Sequence, residues 1–468
     1  MTGFLHATQK LNRSPMDPAW FRRRARRARM GTAGGGTGER MGGERGRRGG
    51  PFTILYVEGS SSTADLIGGS IVSLLTLVRT LDRSFIRPVV LFTSPNRFVP
   101  QFEDAGVEVQ VLHQKTIRQR VGARTLSSAL QSATPRATPL RRAYQAGALA
   151  FRLLFEFLPR ALPVYRAIRR SGAALVHAND RTGSNQFVIL AARMAGVPCV
   201  VHERMISAFG PFERMLSRWT RVSICISEDL RAQCRAAGLQ TEDVRVIPNA
   251  VDTRAALEAA ATAPPLDPGA PSIILVGRLV PWKGQLIFLE ALALARREIP
   301  GLRGSLVGGA DPSQESYVRE IEREMADLGL SEAVTITGAV DDVLPRIAAA
   351  DLLVHASTDP EPFGRVIIEA MAVGRPVIAT AHGAPLEIVK DGENGILVPP
   401  GDPQALSAAI LRLLGDPEEI ERFCRAGRQT VNRSYGIEVH RKSIENVYRD
   451  IIGEQCGPCP VKPMTGSG

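Results

Sequence analysis

From Pro51 onward, the chain alternates short apolar segments, each long enough for one strand, with segments of helical periodicity. Seven apolar segments precede the proline-rich stretch ATAPPLDPGAP at 261–271, and six follow it. They read FTILYV, PVVLF, VEVQVL, ALVHA, PCVVHE, VSICI and VRVIP, then SIILVG, GSLVGG, AVTITG, LLVHAS, RPVIAT and NGILVPP. Strands that alternate with helices form parallel sheets covered on both faces. We therefore predict an α/β protein in which two Rossmann-like doubly wound domains face a central cleft.

The domain boundaries follow from length and composition. A chain of 468 residues is too long for one ordinary core. Proline-rich stretches such as 261–271 mark boundaries between domains. We predict a basic, disordered tail over 1–50, a first Rossmann-like domain over 51–252, a second over 253–437, a terminal helix over 438–455 that packs back on the first domain, and a flexible tail over 456–468.

The net charge of +11 belongs mostly to the amino-terminal tail. Residues 1–50 hold eleven arginines and one lysine against three acidic residues, so nine of the eleven net positive charges lie there. The arginine run lacks interleaved aromatic side chains on which bases could stack. We therefore expect no nucleic-acid partner.

A second basic segment, residues 115–170, carries twelve Lys and Arg against the single acid Glu156. An apolar helical stripe accompanies these charges, formed by Leu140, Tyr144, Phe151, Leu154, Phe155 and Leu158. Two interpretations stay open: a helix that lies on an anionic membrane surface, or a helix whose apolar face covers the sheet. Because the six cysteines are scattered and no long apolar run occurs, we expect a cytoplasmic protein, with any membrane contact peripheral and on the cytoplasmic face.

The loop GRLVPWKG directly follows the apolar segment SIILV. It puts Arg278 at the carboxyl end of a predicted strand and Lys283 five residues later. Two cations at this position are suited to bind a diphosphate, since charges interact more strongly in a shielded cleft than in water. Two solvated loop charges are the alternative interpretation. The loop lacks the spacing of a Walker phosphate-binding motif.

Two further candidates lie at carboxyl ends of strands in the first half. Gly68 and Gly69 open a helix after the first strand, where a phosphate or an acceptor sugar could approach backbone amides. His202 follows a buried strand and could hydrogen-bond a substrate hydroxyl or move a proton. Because no second ligand stands at metal-binding spacing, we expect no metal site.

The stretch EPFGRVIIEAMAVG places carboxylates at Glu361 and Glu369 around a tight turn and the start of a helix. Free amides at residues 365–367 would bind an anion. Glu369, one turn into the helix, would face the cleft and could accept two hydrogen bonds from a ribose diol. Glu361 could do the same for sugar hydroxyls. Two solvated glutamates would not fit flanks as apolar as VII and AMAV.

The combination of GRLVPWKG, EPFGRVIIE and IPNAVD resembles the family four glycosyltransferases, nucleotide-sugar enzymes of the GT-B fold. The resemblance covers residues 52–452. It implies that the second domain binds the donor, a nucleotide-diphospho-sugar, and that the first binds a glycan or lipid-linked acceptor. It also implies transfer with retention of anomeric configuration, without a metal or other cofactor.

The resemblance assigns roles by position. Arg278 and Lys283 would hold the diphosphate, with amides of Val366 and Ile367, and Glu369 would bind the ribose. Glu361 would contact the donor sugar, with amides of Phe363 and Gly364. Gly69 and its neighbours would approach the phosphate or the acceptor, and His202 would lie close to the transferred sugar. The residues expected to act in catalysis are Glu361, His202, Arg278 and Lys283.

Two other functions remain open on the sequence. A GT-B-fold nucleotide-sugar epimerase would need an acid and a base on either side of the sugar. A non-catalytic nucleotide-sugar-binding protein would be expected to have lost part of the set Arg278, Lys283, Glu361 and Glu369, which is intact here.

Overall fold

The computed structural model describes residues 50–59, 69–112, 157–206, 208–267 and 269–456. Several predictions fall outside these ranges: the tail over 1–49, Gly68, most of the basic segment 115–170, and residues 457–468.

The first half of the chain forms a parallel sheet of seven strands in the order β3-β2-β1-β4-β5-β6-β7. The strands are β1 (Phe52–Glu58), β2 (Ile86–Phe92), β3 (Glu108–Val111), β4 (Leu175–Ala178), β5 (Cys199–Glu203), β6 (Val222–Cys225) and β7 (Asp243–Val246). The helices are α1 (Gly69–Thr80), α2 (Val99–Asp104), α3 (Leu158–Ser171), α4 (Gln186–Ala195), α5 (Pro211–Ser217) and α6 (Glu228–Ala237).

The second half forms a parallel sheet of six strands in the order β10-β9-β8-β11-β12-β13. The strands are β8 (Ser272–Val276), β9 (Arg303–Val307), β10 (Val334–Gly338), β11 (Leu352–His355), β12 (Val377–Thr380) and β13 (Ile396–Val398). The helices are α7 (Thr253–Thr262), α8 (Gln285–Ala295), α9 (Glu315–Asp327), α10 (Leu344–Ala348), α11 (Arg365–Val373), α12 (Pro385–Ile388), α13 (Pro403–Leu414) and α14 (Pro417–Ser434), followed by α15 (Ile437–Cys456).

Both sheets confirm the predicted fold class. Their central strands are apolar on both faces, as sheets covered by helices on both sides require. In β1, for example, residues 54–57 are all fully buried. The order of strands reverses direction between β1 and β4 in the first sheet and between β8 and β11 in the second. Ligands of doubly wound sheets bind at such points, beyond the carboxyl ends of the strands.

The last helix, α15, returns to the first half of the chain and packs against α1. Ile444, Val447, Tyr448 and Ile451 are buried in the core of the seven-stranded sheet. Val439, near the start of the same helix, is 38% exposed. The contact joins the end of the chain to its beginning, while the exact domain boundaries stay a prediction.

Helix α3 is the part of the basic segment 115–170 that the structure describes. Its apolar face packs into the core beside the first sheet through Ala161, Val164 and Ile168, as the sheet-covering interpretation predicts for this portion. Arg166, Arg169 and the neighbouring Arg170 are exposed. None of the helices in the described part of the chain combines the length and apolar character needed to cross a membrane.

Candidate active site

The loop after β8 carries Lys283 on a short 3-10 turn, Pro281–Lys283, which ends at Gly284. Gly284 has a φ of 73°, and a Cβ atom there would lie 2.0 Å from the carbonyl oxygen of Ala356. Only glycine therefore lets this loop approach the segment that follows β11. The Lys283 ammonium lies 4.3 Å from the centre of the Trp282 ring. The loop geometry aims Lys283 toward the end of β11.

Glu361 receives that lysine in an ion pair. Its Oε2 atom also lies 3.3 Å from His355 Nε2 and accepts a hydrogen bond of 3.1 Å from Ser357 Oγ. Burial by itself would raise the pKa of Glu361, but the charge of Lys283 and the contact with His355 reverse this and hold the pKa well below its ordinary value. The carboxylate is therefore ionised at neutral pH and fixed in one place.

Arg278, the other predicted phosphate ligand, is exposed. Its backbone carbonyl accepts a hydrogen bond of 2.9 Å from the buried Gln285, which fixes the backbone of the loop. Its guanidinium makes no hydrogen bond or ion pair within the described ranges. An anionic ligand could pair with this guanidinium without breaking an existing contact.

The turn before α11 is shaped by Gly364, whose φ is 90°. Phe363 anchors the turn from below, since its ring is buried and meets Tyr435 edge-on at 6.0 Å. One expectation needs correction: the amide of Ile367 is not free, because it donates to the carbonyl of Gly364 at 3.0 Å. The amides of Arg365 and Val366 remain the candidates for an anion at this helix start.

Glu369 lies one turn into α11, with its side chain only 9% exposed. It is paired with Arg365, whose Nη2 donates to Oε1 at 2.9 Å. The other amino group of Arg365, Nη1, donates to the carbonyl of Gly69 at 3.1 Å. Gly69 is the first residue of α1 in the first half of the chain. Arg365 therefore links the start of α11 to the start of α1. The alternative of a solvated Glu369 does not describe this geometry.

His202 is placed differently from our expectation. Its side chain is fully buried in β5, with ring centroids 5.5 Å from His177 and 6.4 Å from His440. Burial, then the neighbouring charge of Arg204 and the two histidines, lowers its pKa well below the ordinary value. The structure brings His202 together with these rings and with Arg204, whose Nη2 lies 3.4 Å from His202 Nδ1. Its role near the transferred sugar stays a prediction.

Sequence reasoning missed a partly buried arginine beside this histidine cluster. Arg204 donates from Nε and Nη2 to Asn179 Oδ1 at 3.1 and 2.8 Å, and from Nη1 to Asn249 Oδ1 at 2.6 Å. Burial is the main cause that lowers its pKa to about 10; Glu58 opposes this and Arg365 adds to it. The available signal in the sequence was Arg204 itself, a charged residue directly after β5, but the prediction at this strand end named only His202.

Direct hydrogen bonds also join the two halves around the 361–364 turn. Ser227 Oγ donates to the carbonyl of Pro362 at 2.8 Å. The carboxylate of Glu387 accepts from the amides of Glu228 and Asp229, at 3.0 and 2.8 Å, and so caps helix α6 from the other half. The turn that carries Glu361 is therefore positioned from both sides.

The described residues contain no group of three or more His, Cys, Asp or Glu side chains that could hold a metal ion.

Comparison with known proteins matches each half of the chain to a family. Residues 67–255 match the family described as Glycosyltransferase Family 4, and residues 259–430 match Glycosyl transferases group 1. The two matches meet close to the change from the first sheet to the second.

Two curated relatives illustrate the similarity. The lipopolysaccharide core biosynthesis glycosyltransferase LpsE of Rhizobium meliloti is 30% identical over 254 residues, which is 53% of this chain and 70% of LpsE. The GDP-mannose-dependent alpha-(1-6)-phosphatidylinositol monomannoside mannosyltransferase of Mycolicibacterium smegmatis is 34% identical over 166 residues, 34% of this chain and 42% of that enzyme. In the second case the match spans less than half of the relative's length.

Among solved structures, Anabaena HepE in complex with UDP-glucose superposes with a TM-score of 0.65. The alignment covers 85% of this chain and 99% of HepE at 23% sequence identity. Such a likeness establishes a shared fold of two facing Rossmann-like halves.

Proposed function

This chain belongs to family 4 of the glycosyltransferases, and from that premise we propose that it transfers a sugar from a nucleotide-diphospho-sugar to a hydroxyl of a glycan or lipid-linked acceptor. The transfer retains the anomeric configuration of the sugar and needs no metal ion or other cofactor. The observation that carries the proposal is the buried ion pair between Lys283 and Glu361, beside the glycine turn that begins α11.

The donor's diphosphate would be bound by positive charge from several directions. Arg278 and Lys283 supply cations, and the start of α11 supplies the amides of Arg365 and Val366. Charge develops on the diphosphate as its bond to the sugar breaks, and groups fixed in advance around it lower that barrier.

The carboxylates of Glu369 and Glu361 would bind the ribose and the transferred sugar of the donor. Glu369, held in place by Arg365, accepts hydrogen bonds from the two ribose hydroxyls. Glu361 accepts from hydroxyls of the transferred sugar, and its lowered pKa keeps it ionised for this task. Lys283 would then lie between sugar and phosphate, because it is paired with Glu361.

The proposed retention uses the departing phosphate oxygen as the base. The bond between the sugar's anomeric carbon and the phosphate oxygen breaks on the same face on which the acceptor oxygen bonds. The acceptor hydroxyl passes its proton to the departing phosphate oxygen, which becomes part of the released nucleoside diphosphate. Glu361 is already ion-paired and hydrogen-bonded, so it serves binding rather than proton transfer.

The relatives guide the choice of substrates for a test. LpsE acts in lipopolysaccharide core biosynthesis, the mycobacterial relative uses GDP-mannose, and HepE binds UDP-glucose. We therefore propose a lipid-linked or glycan acceptor and keep uridine, guanosine and adenosine diphospho-sugars as donor candidates.

We also propose that the protein works at the cytoplasmic face of a membrane, which it contacts through the basic segment 115–170. Arg166, Arg169 and Arg170 on the exposed side of α3 support this proposal, because anionic lipids attract such clusters. Salt-sensitive co-sedimentation with vesicles that contain anionic lipid is the expected result. Equal sedimentation with neutral and anionic vesicles would contradict the contact.

The test of the proposed reaction is a screen of UDP-, GDP- and ADP-sugars for release of the nucleoside diphosphate, with and without a lipid extract as acceptor. One donor should be consumed, faster with acceptor, and NMR of the product should show the donor's anomeric configuration. Inversion of configuration would exclude the retaining mechanism. Interconversion of the donor's sugar without release of nucleoside diphosphate would instead indicate an epimerase.

A further inference from the structure

The side chain of Arg365 lies between the two halves of the chain. Its contact with the first half has no part in the roles given so far. Arg365 is the first residue of α11, one turn before Glu369. The fork of its guanidinium reaches Glu369 with one amino group and the carbonyl of Gly69 with the other. Its third nitrogen, Nε, is buried and has no hydrogen-bond partner among the residues that the structure describes.

The two acceptors belong to different halves of the chain. Glu369 is the carboxylate that we propose for the ribose, and Gly69 opens α1 above the first sheet. An arginine fork is planar and rigid, so both hydrogen bonds fix one relative position of these groups. The guanidinium lies close beside Gly69, where a Cβ atom would be 3.7 Å from Nη1, which is ordinary van der Waals contact.

The charges around Arg365 make its position sensitive to the loss of either hydrogen-bond partner. Within the described residues, Glu369 is the carboxylate that neutralises Arg365. Arg204 lies near enough that Arg365, after the main effect of burial, contributes to the lowered pKa of Arg204. The two like charges repel each other, and the bond from Arg365 to Gly69 acts against that repulsion. The arrangement between the halves therefore depends on Arg365 keeping both partners.

We propose that Arg365 is a positioning residue that couples donor binding to the approach of the two halves. It holds the Glu369 carboxylate in the orientation that the ribose needs and, through Gly69, sets the distance of α1 from that carboxylate. The inference rests on the proposed function, because it takes Glu369 as the ribose ligand. The side chain of Arg365 acts through Glu369, whereas its backbone amide stays a candidate ligand of the diphosphate.

Binding of UDP, GDP and ADP, and of their nucleosides, to the full chain by calorimetry tests this role. The variants are Arg365→Leu, Arg365→Lys and Glu369→Gln, with Arg425→Leu as the control. Arg425 forms an exposed i,i+4 pair with Glu421 at 2.8 Å, which matches the chemistry of the Arg365 pair away from the cleft.

For the nucleoside diphosphate that the wild type binds, Kd should rise about tenfold in Arg365→Leu, which corresponds to the loss of one charge-assisted hydrogen bond. Arg365→Lys should lose most of this affinity too, because an ammonium cannot serve both acceptors in the same geometry. The nucleoside should lose affinity by the same factor. Adding Arg365→Leu to Glu369→Gln should cause no further loss, and Arg425→Leu should bind normally.

Amide hydrogen exchange tests the coupling itself. In the wild type, the nucleoside diphosphate should protect the first turn of α1, residues 70–74, as well as the start of α11. In Arg365→Leu the protection of α1 should disappear while that of α11 remains.

Three results would overturn the inference while leaving the proposed function intact: unchanged affinity in Arg365→Leu, a loss confined to the diphosphate, or additive losses in the double variant. Failure of the wild type to bind any of the three nucleoside diphosphates would remove the proposed function and this inference with it.

Discussion

Lys283 and Glu361 form a buried ion pair although 78 residues separate them in the chain. One stands on the loop after β8 and the other on the loop after β11, two strands that pair directly in the second sheet. Neighbouring parallel strands end at the same edge, so their loops meet there. Topology therefore creates the pair, and the glycine at 284 permits the close approach.

Removal of either partner should abolish transfer while the fold persists. In Glu361→Gln and Lys283→Ala, we expect kcat/KM to fall by about 100-fold or more, as for loss of a fixed group that stabilises the transition state. The measurement is release of nucleoside diphosphate from the donor found in the screen, with circular dichroism to verify folding. Arg425→Leu is the control. Unchanged turnover in either site variant would refute the site assignment.

Lys283→Met should reverse the pH dependence of stability that Glu361 contributes. In the wild type the lowered pKa of Glu361 stabilises the fold above the unfolded value of about 4.3, and this contribution is lost as pH falls. Without Lys283, we expect burial to outweigh the remaining contacts of Glu361 with His355 and Ser357 and to raise its pKa above that value, so stability falls as pH rises. The Tm difference from wild type should therefore be larger at pH 8 than at pH 5.

The double variant Lys283→Met/Glu361→Gln provides the control for that experiment, because it has no carboxylate to titrate. Its Tm should not show the added loss at pH 8. A Tm difference between Lys283→Met and wild type that is independent of pH would contradict this electrostatic account.

Glu203→Gln should remove a second pH-dependent contribution. Burial raises the pKa of Glu203 to about 7, against hydrogen bonds from the amide and hydroxyl of Thr182 that lower it. A carboxyl with a raised folded pKa binds its proton more tightly in the native state, so stability falls as pH rises from about 4.3 to about 7. Denaturant unfolding at pH 5 and pH 8 should show a smaller difference in the variant. An equal difference would disprove the raised pKa.

Gly284→Ala should damage the site more than an equivalent change elsewhere. The added Cβ would lie 2.0 Å from a carbonyl oxygen, so the loop that carries Lys283 must move. Gly329 has a similar φ of 67° with nothing within 4 Å of its Cβ position, so Gly329→Ala incurs only backbone strain of about 1 kcal/mol. Gly284→Ala should lose more stability and nearly all activity. Equal effects of the two changes on Tm and turnover would contradict the steric argument.

The strands of both sheets could be predicted from the sequence because each is a local apolar run between turn residues. All thirteen predicted strands are present. The loops at the carboxyl ends of β8 and β11 carry Lys283 and Glu361, and Glu369 lies one turn into the helix that follows, as expected. Helical periodicity likewise indicated that α15 packs on a core, although Val439 is exposed.

Contacts between segments that are distant in the sequence could not be predicted from local apolar runs or periodicity. The partners of Glu361 include His355, and the guanidinium of Arg365 reaches the other half of the chain. His202 was expected just after a strand, yet it lies within β5, and rings from β4 and α15 pack beside it. Such placements depend on how separate elements pack, which spacing along one segment does not encode.

A crystal structure of the chain with its bound nucleoside diphosphate tests the central claim most directly. The account predicts ribose hydroxyl oxygens within hydrogen-bond distance of Glu369, and the diphosphate between Arg278, Lys283 and the amides that begin α11. A nucleotide bound elsewhere, with Glu369 still paired only to Arg365, would contradict it.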